Sequence, residues 1–457
     1  MEAVIRIFNT EDTETDEKEW VLGSWFRAPI SSISSVFSVL SLLAASVCTG
    51  CAGGGGPGSP ASRGDAVAAS VVLGVPSGPG ADVYTTRVEA AGPSDALAAQ
   101  FNAQIQASRR KQGHSPILRD GRLDRVANDI ALLTGESEIP SFDTTSTLLA
   151  HYGVVEPDPG MILKRGENGS EPEAVANLEQ ELASNAASSE WRRFGVAVKR
   201  TPGQWMAVLI FQGKNLDIEP VPRRIPSHGH ATIAGQIRAK FHSPEVLVTP
   251  PHGTVQRLAT SVKQGNFTAR LDCSEGDGAY QVEVIAQDAS GPGVLANFPV
   301  CCGAELRTPV LTRSAQVVRV TDPALAERQI IDLLDRDRLV HGLPVLVRDP
   351  RLARIAQRYS REMAETGEVA HTSRRSGSTS DRIRAAGLSP LPTYLGENVG
   401  SALSAAEVEL GFMSSPGHRE NILNRALTHV GVGVAVGREE GGTVPLYVTQ
   451  VFAGWGQ

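Results

Sequence analysis

No stretch of the chain is rich in lysine or arginine. The 43 basic residues are outnumbered by 50 acidic ones, which gives a formal net charge of -7 and a pI near 5.9. Nucleic-acid binding normally needs a basic face, so this composition argues against it. Three catalytic signatures are also missing: a GxSxG nucleophile elbow, a phosphate-binding P-loop and an HExxH zinc helix. Cysteine is scarce, at 5 in 457 residues. Cys48 and Cys51 have CxxC spacing, but neither a second ligand pair nor a thioredoxin-like context follows, so a metal or redox reading is weak.

What is present fits an exported protein of two to four domains. The apolar fraction of 41% and charged fraction of 20% are ordinary for folded protein. The uncharged run from Ile33 to Val47 is too short to span a bilayer comfortably and fits the core of a signal peptide, with Arg27 as its positive flank. Cys48-Thr-Gly-Cys51 resembles a bacterial lipobox, which implies that Cys51 is lipidated; Cys48 stands where that pattern prefers Leu. Glu11, Asp12, Glu14, Asp16, Glu17 and Glu19 do not suit an export n-region, and a later translation start near Val21 would remove them. Residues 1–51 therefore read as an export signal. Residues 52–93, rich in Gly, Pro, Ala and Ser, read as a flexible tether.

Three modules follow. In the last, residues 320–457, Pro323 suits a helix first turn, and Leu325, Ile330, Ile331 and Leu334 recur at helical spacing. A second helix opens at Asp349-Pro350, places Leu352, Ile355, Ala356, Tyr359 and Met363 on one face, and ends at Gly367. A third helix covers about 405–413. Val430, Val432, Val434 and Val436, then Leu446 to Phe452, alternate as strands. Gly431 to Gly437 is thus a packed strand rather than a nucleotide loop.

Residues 94–215 look like a worn copy of that module. Arg119-Asp-Gly-Arg-Leu123 parallels Arg348-Asp-Pro-Arg-Leu352, and Gly195-Val-Ala-Val198 parallels Gly433-Val-Ala-Val436. The copy has no Ala-His-Thr-Ser after its second helix and no Gly-His-Arg after its third. Between the two, residues 218–310 hold short strand-like runs separated by Pro, Gly and Asp, as in a small immunoglobulin-like β-sandwich. There Cys273 is expected to bridge to Cys301 or Cys302.

The last module also carries a fixed series of motifs: Val369-Ala-His-Thr-Ser373, Gly396-Glu-Asn-Val-Gly400, Ser415-Pro-Gly-His-Arg-Glu-Asn-Ile-Leu423, Gly431-Val-Gly-Val-Ala-Val436 and Tyr447-Val-Thr-Gln-Val-Phe452. Together they resemble the CAP superfamily, in its bacterial SCP-like branch. The resemblance implies an α+β protein whose C-terminal module is a three-layer α-β-α sandwich with a cleft. Its eukaryotic branch places two His and two Glu in that cleft. His371 and Glu397 match the first His and a Glu; Ser415 and Tyr447 occupy the other two positions, and His418 is a hallmark of the bacterial branch.

The resemblance thus implies a cleft lined by His371, Glu397, His418 and Tyr447. His371, Glu397 and His418 are its candidate ligands for a divalent metal such as Zn, and Glu397 is its candidate general base. Each also has a structural reading. His371 satisfies loop backbone groups, Glu397 fixes a loop, and His418 fastens a helix to the sheet. The function expected is binding of a peptide, glycan or lipid by an exported envelope lipoprotein, anchored at the outer membrane or secreted. The alternative is a metal-assisted hydrolase of peptide or cell-wall bonds, and a third reading is a purely structural surface protein.

Overall fold

The computed structural model describes residues 37–38, 70–73, 81–92, 95–134, 140–157, 159–184, 190–306, 309–312, 322–439 and 444–455. The expected lipidation site, Cys51, lies outside them; of the apolar core expected for the export signal, 33–47, they include Phe37 and Ser38, which pair with Met161 and Gly160.

Three short strands come first: β1 (Phe37–Ser38), β2 (Ser70–Val72) and β3 (Val83–Tyr84). The first mixed unit comprises α1 (Ala96–Lys111), β4 (Leu118–Arg119), α2 (Gly121–Leu133), α3 (Phe142–His151), β5 (Gly160–Glu167), α4 (Glu171–Ser184), β6 (Trp191–Thr201) and β7 (Gln204–Gly213). Asp95, Asp120 and Ser141 cap α1, α2 and α3 through side-chain oxygens, satisfying otherwise orphaned N–H groups. The sheet order is β1-β5-β7-β6-β4, with β4 parallel to β6 and the other pairs antiparallel. Leu123, Val126, Ile130 and Leu148 from α2 and α3 pack on one face, against Met161, Val208 and Ile210. Phe101, Ile105, Leu178 and Leu182 from α1 and α4 pack on the other, against Phe194, Leu209 and Phe211.

The middle unit is all β. It holds β8 (Leu216–Ile218), β9 (Val221–Pro222), β10 (Arg224–Ile225), β11 (His230–Ile237), β12 (His242–Thr249), β13 (Gln256–Leu258), β14 (Thr260–Lys263), β15 (Asn266–Asp272), β16 (Gly278–Asp288) and β17 (Gly291–Cys302). A five-stranded sheet, β10-β17-β16-β12-β13, and a four-stranded sheet, β14-β15-β11-β8, share one core that includes Ile233, Phe267, Val282, Val284 and Phe298. Cys273 pairs with Cys302, joining the end of β15 to the end of β17. Strand alternation decides between the two neighbouring cysteines. Cys302 points into the core and is buried, whereas Cys301 faces the other way and is free.

The tether expected over 52–93 is corrected for its described parts. Val83 and Tyr84 pair with Val221 and Pro222, and Tyr84 is buried against Phe298 with the Arg223 guanidinium over its ring. Residues Ser70 to Val72 pair with β18 (Val310–Thr312), and Leu73 and Leu311 join the core of the first unit. A few apolar anchors suffice to order this stretch, and an average over its composition hides them.

The last unit comprises α5 (Pro323–Val340), β19 (Val347–Arg348), α6 (Pro350–Thr366), α7 (Thr379–Ala385), β20 (Tyr394–Ala402), α8 (Ala405–Ser414), α9 (Pro416–Leu423), β21 (His429–Val436) and β22 (Leu446–Gly454). Its sheet order, β19-β21-β22-β20, is that of β4-β6-β7-β5, with the same parallel pair at the short strand. Asp349 caps α6, Gly367 ends it at φ +74°, and α6 covers one face of the sheet. The other face packs against α5, α8 and α9 through Ile330, Leu334, Val408, Phe412 and Ile422.

The likeness of the two mixed units extends to atoms. Arg109 Nε donates to the Ser115 carbonyl after α1, and Arg338 Nε donates to the Pro344 carbonyl after α5. A Cβ on Gly195 would lie 2.1 Å from the Leu123 carbonyl carbon, and one on Gly431 would lie 2.2 Å from that of Leu352, so Gly195 matches Gly431 and not Gly433, two residues from the register read in the sequence. In both units a glycine lets a helix backbone rest directly on a strand.

Candidate functional site

The site is built on β20 and β22. Their register sets Glu397 opposite Val451 and Asn398 opposite Gln450. Strand alternation then divides them: Glu397 faces the α6 side, and Asn398 faces α8 and α9. The loop after α6 brings His371 over Glu397, and the imidazole Nδ1 donates to the Glu397 carboxylate at 2.9 Å. The other carboxylate oxygen accepts from Arg382 on α7 at 2.6 Å. That arginine also bonds the His371 carbonyl and lies 3.4 Å from the centroid of the Tyr359 ring. The Tyr359 hydroxyl donates to the Ala370 carbonyl, fixing the residue before His371.

Glu397 is fully buried. Burial alone would raise its pKa, but the Arg382 charge and the His371 hydrogen bond outweigh it and leave the carboxyl below its ordinary value. It is an ionised group held on two sides, and it orients His371 with Nδ1 as the donor.

His418 occupies the other side of the sheet's edge, on α9. Its ring stands 4.9 Å from that of Phe412, and its carbonyl accepts from Asn398. The imidazole is buried, and neither ring nitrogen has a hydrogen-bond partner among the described residues. Burial, with the neighbouring His371 adding to it, lowers its pKa well below the ordinary value, so it is neutral. A polar network supports the helix. Asn398 donates to Gln450 and accepts from Asn421, and Gln450 donates to Glu409. Burial raises the Glu409 carboxyl to about 8, with Asp337 adding to the rise.

The expected metal-ligand set is not assembled. His371 and Glu397 meet, but Glu397 spends both oxygens on His371 and the Arg382 guanidinium, which already supplies the positive charge. No group of three or more His, Cys, Asp or Glu side chains among the described residues is placed to hold a metal ion. Nor is Glu397 placed as a general base, because its hydrogen bonds leave it orienting His371. Tyr447 lies on the α6 side, packed with Tyr359, Met363 and Val399.

Sequence reasoning did not single out Arg382, Tyr359 or Glu409. For Arg382 the available signal was Ser378-x-x-Asp381, a capping box that opens α7 and sets the arginine one turn in. It missed Glu283 altogether, and no local signal marks it. Glu283, on β16 of the sandwich, accepts from Ser415 Oγ at 2.6 Å and from the Gly417 N–H at 2.9 Å. It thereby caps α9, whose own N-cap residue makes no side-chain cap.

The model of the cysteine-rich secretory protein family, CAP, matches residues 331–452. An uncharacterized membrane protein of Bacillus subtilis (strain 168), YlbC, is 37% identical over 111 residues, covering 24% of this chain and 31% of the relative. An uncharacterized protein of the same organism, YkwD, is 34% identical over 108 residues, covering 23% of this chain and 41% of the relative. This chain thus spans about a third of the first relative and two fifths of the second. Among solved structures, an extracellular SCP-domain protein from Bacillus anthracis str. Ames aligns with 53% of this chain and 83% of its own, at 18% identity and a TM-score of 0.26. Residues 331–452 are a CAP superfamily domain, and the chain is similar there to bacterial members of that family.

Proposed function

We propose that this protein binds a peptide or glycan through the His371–Glu397–His418 region of its CAP domain, without a metal. The observation that carries the reading is the His418 imidazole, buried with both ring nitrogens unpartnered beside the ordered His371–Glu397–Arg382 group. A buried polar group without a partner costs about 1–3 kcal/mol, so its retention is explained by a partner that arrives with the ligand. Peptides and glycans bring hydrogen-bonding groups to such a site, whereas acyl chains do not. The hydrolase alternative needs an open metal position, and no observation favours one.

The reading extends to location. The chain is an exported envelope protein held by a lipid on Cys51, with residues 94–215 as a duplicated CAP-like unit that has lost the His-bearing motifs. Support comes from the apolar run before Cys51 and the shared strand order of the two units. No helix among the described residues is long and apolar enough to cross a membrane.

The test uses ¹⁵N-histidine NMR of the full chain, with soluble peptidoglycan fragments and their separated peptide and glycan parts as probes. One probe should shift the His418 nitrogens, and its effect on the His371 nitrogens should be lost in His418→Met. If His418 stays unperturbed by all probes while Zn²⁺ alone shifts His371 and His418, the metal-free reading fails.

A further inference from the structure

The β-sandwich grips the CAP domain on both sides of this site. Where β16 turns into β17, the Ser290 carbonyl accepts from the Thr372 N–H at 3.0 Å, next to His371. Gly291, at φ +103°, sits so close that a Cβ there would lie 3.1 Å from the His371 Cβ. Glu283 holds the start of α9, one residue from His418, through Ser415 and Gly417. Arg257 on β13 pairs with Glu420 farther along the same helix at 2.8 Å.

The Glu283 and Arg257 contacts come from the outer face of the five-stranded sheet, and the Ser290–Gly291 contact from the turn at its end. Val282 and Val284 point into the sandwich core, and Glu283 between them points out to α9. Every polar contact named here crosses from one folded unit to another, and His371 and His418 are buried with the sandwich in this position. Polar inter-domain interfaces of this kind separate more readily than cores do.

We propose that the β-sandwich is a built-in gate: docked as here, it closes the His371–His418 site, and release of the Ser290–Gly291 turn and of Glu283 opens it. The gate rests on the binding reading above for its purpose, but not for its test. Two backbone amides report it directly, because the Thr372 and Gly417 N–H groups donate across the interface.

The experiment compares the full chain with Gly291→Leu and Glu283→Ala by hydrogen exchange and by diethylpyrocarbonate labelling, read residue by residue. Exposed His242 and His252 serve as internal references. Both variants should exchange Thr372 and Gly417 at least tenfold faster and label His371 at least tenfold faster, with the references and the sandwich-core amides of β16 unchanged. Should Gly291→Leu lose protection throughout the sandwich, Glu283→Ala decides the matter. Folded variants that keep the parent's rates at Thr372, Gly417 and His371 would overturn the gate. No ligand is used, so this result and the NMR result stand or fall separately.

Discussion

At the scale of single residues, His418 concentrates the argument. Its ring is neutral, buried and unpaired, in contact with Phe412. Replacing an unsatisfied polar group by an apolar one of similar size is often neutral or stabilising. His418→Met is therefore expected to stabilise the unliganded protein by about 1 kcal/mol, read as a higher melting temperature, while weakening probe binding at least tenfold. Gain in stability with loss of binding marks a residue kept for function. A loss of more than about 2 kcal/mol would instead mean that the imidazole has a structural partner. His371, Glu397 and His418 could all be named from short motifs. What those motifs could not convey is that Glu397 is bound to Arg382, since helix α7 lies outside all of them. A positive side chain 15 residues before Glu397 is visible in the chain, but only the fold brings it to the carboxylate.

At the scale of elements, periodicity and capping residues marked three helices and two strands of the last unit, but not α7, α9 or β20. Asp349-Pro350 and Gly367 bound α6 as expected, and alternating valines form β21. The choice between Cys301 and Cys302 also reduces to strand alternation once the strand is placed. The ordering of residues 81–92 was not legible, because it rests on Tyr84 and on hydrogen bonds that Thr85, Thr86 and Arg87 make to distant residues. The glycines of β6 and β21 offer a matched test. A methyl on Gly195 or Gly431 would collide with helix backbone, which cannot move aside as a side chain would. Gly195→Ala and Gly431→Ala are each expected to cost about 3 kcal/mol in their own unit, seen as earlier loss of hydrogen-exchange protection in α2 or α6 respectively. Equal protection of the parent and either variant would contradict the close approach. The two effects should remain local, because each unit has its own core.

At the scale of the whole molecule, the docking of the sandwich depends on a buried carboxyl, and this sets the direction of a pH effect. Burial raises Glu283 from its ordinary value to about 7, although Ser415 and the Gly417 N–H oppose the rise. Glu420 adds to it, Arg257 counters it, and Asn297 contributes a long hydrogen bond from the neighbouring strand. Once undocked, the carboxyl returns to water and to a value near 4.5. The docked form therefore holds an extra proton between those values. Docking is strongest below about pH 4.5 and weakens as pH rises through 7, by on the order of 3 kcal/mol in full. Glu397 acts with the opposite sign: its lowered pKa favours the ordered site above its ordinary value and loosens it only in stronger acid. Glu397 keeps its charge from pH 5.5 to 8, but Glu409, raised to about 8, also titrates there, so comparison with Glu283→Gln isolates the first effect. Exchange at Thr372 and Gly417, corrected for the intrinsic rate, should rise at least tenfold across it. Glu283→Gln keeps an acceptor oxygen but has no proton to lose, so its rise should stay under twofold. If parent and variant follow the same curve, the pH sensitivity of the interface belongs to another group. If neither responds, Glu283 stays ionised throughout, held by Ser415 and the start of α9 as a simple charged cap.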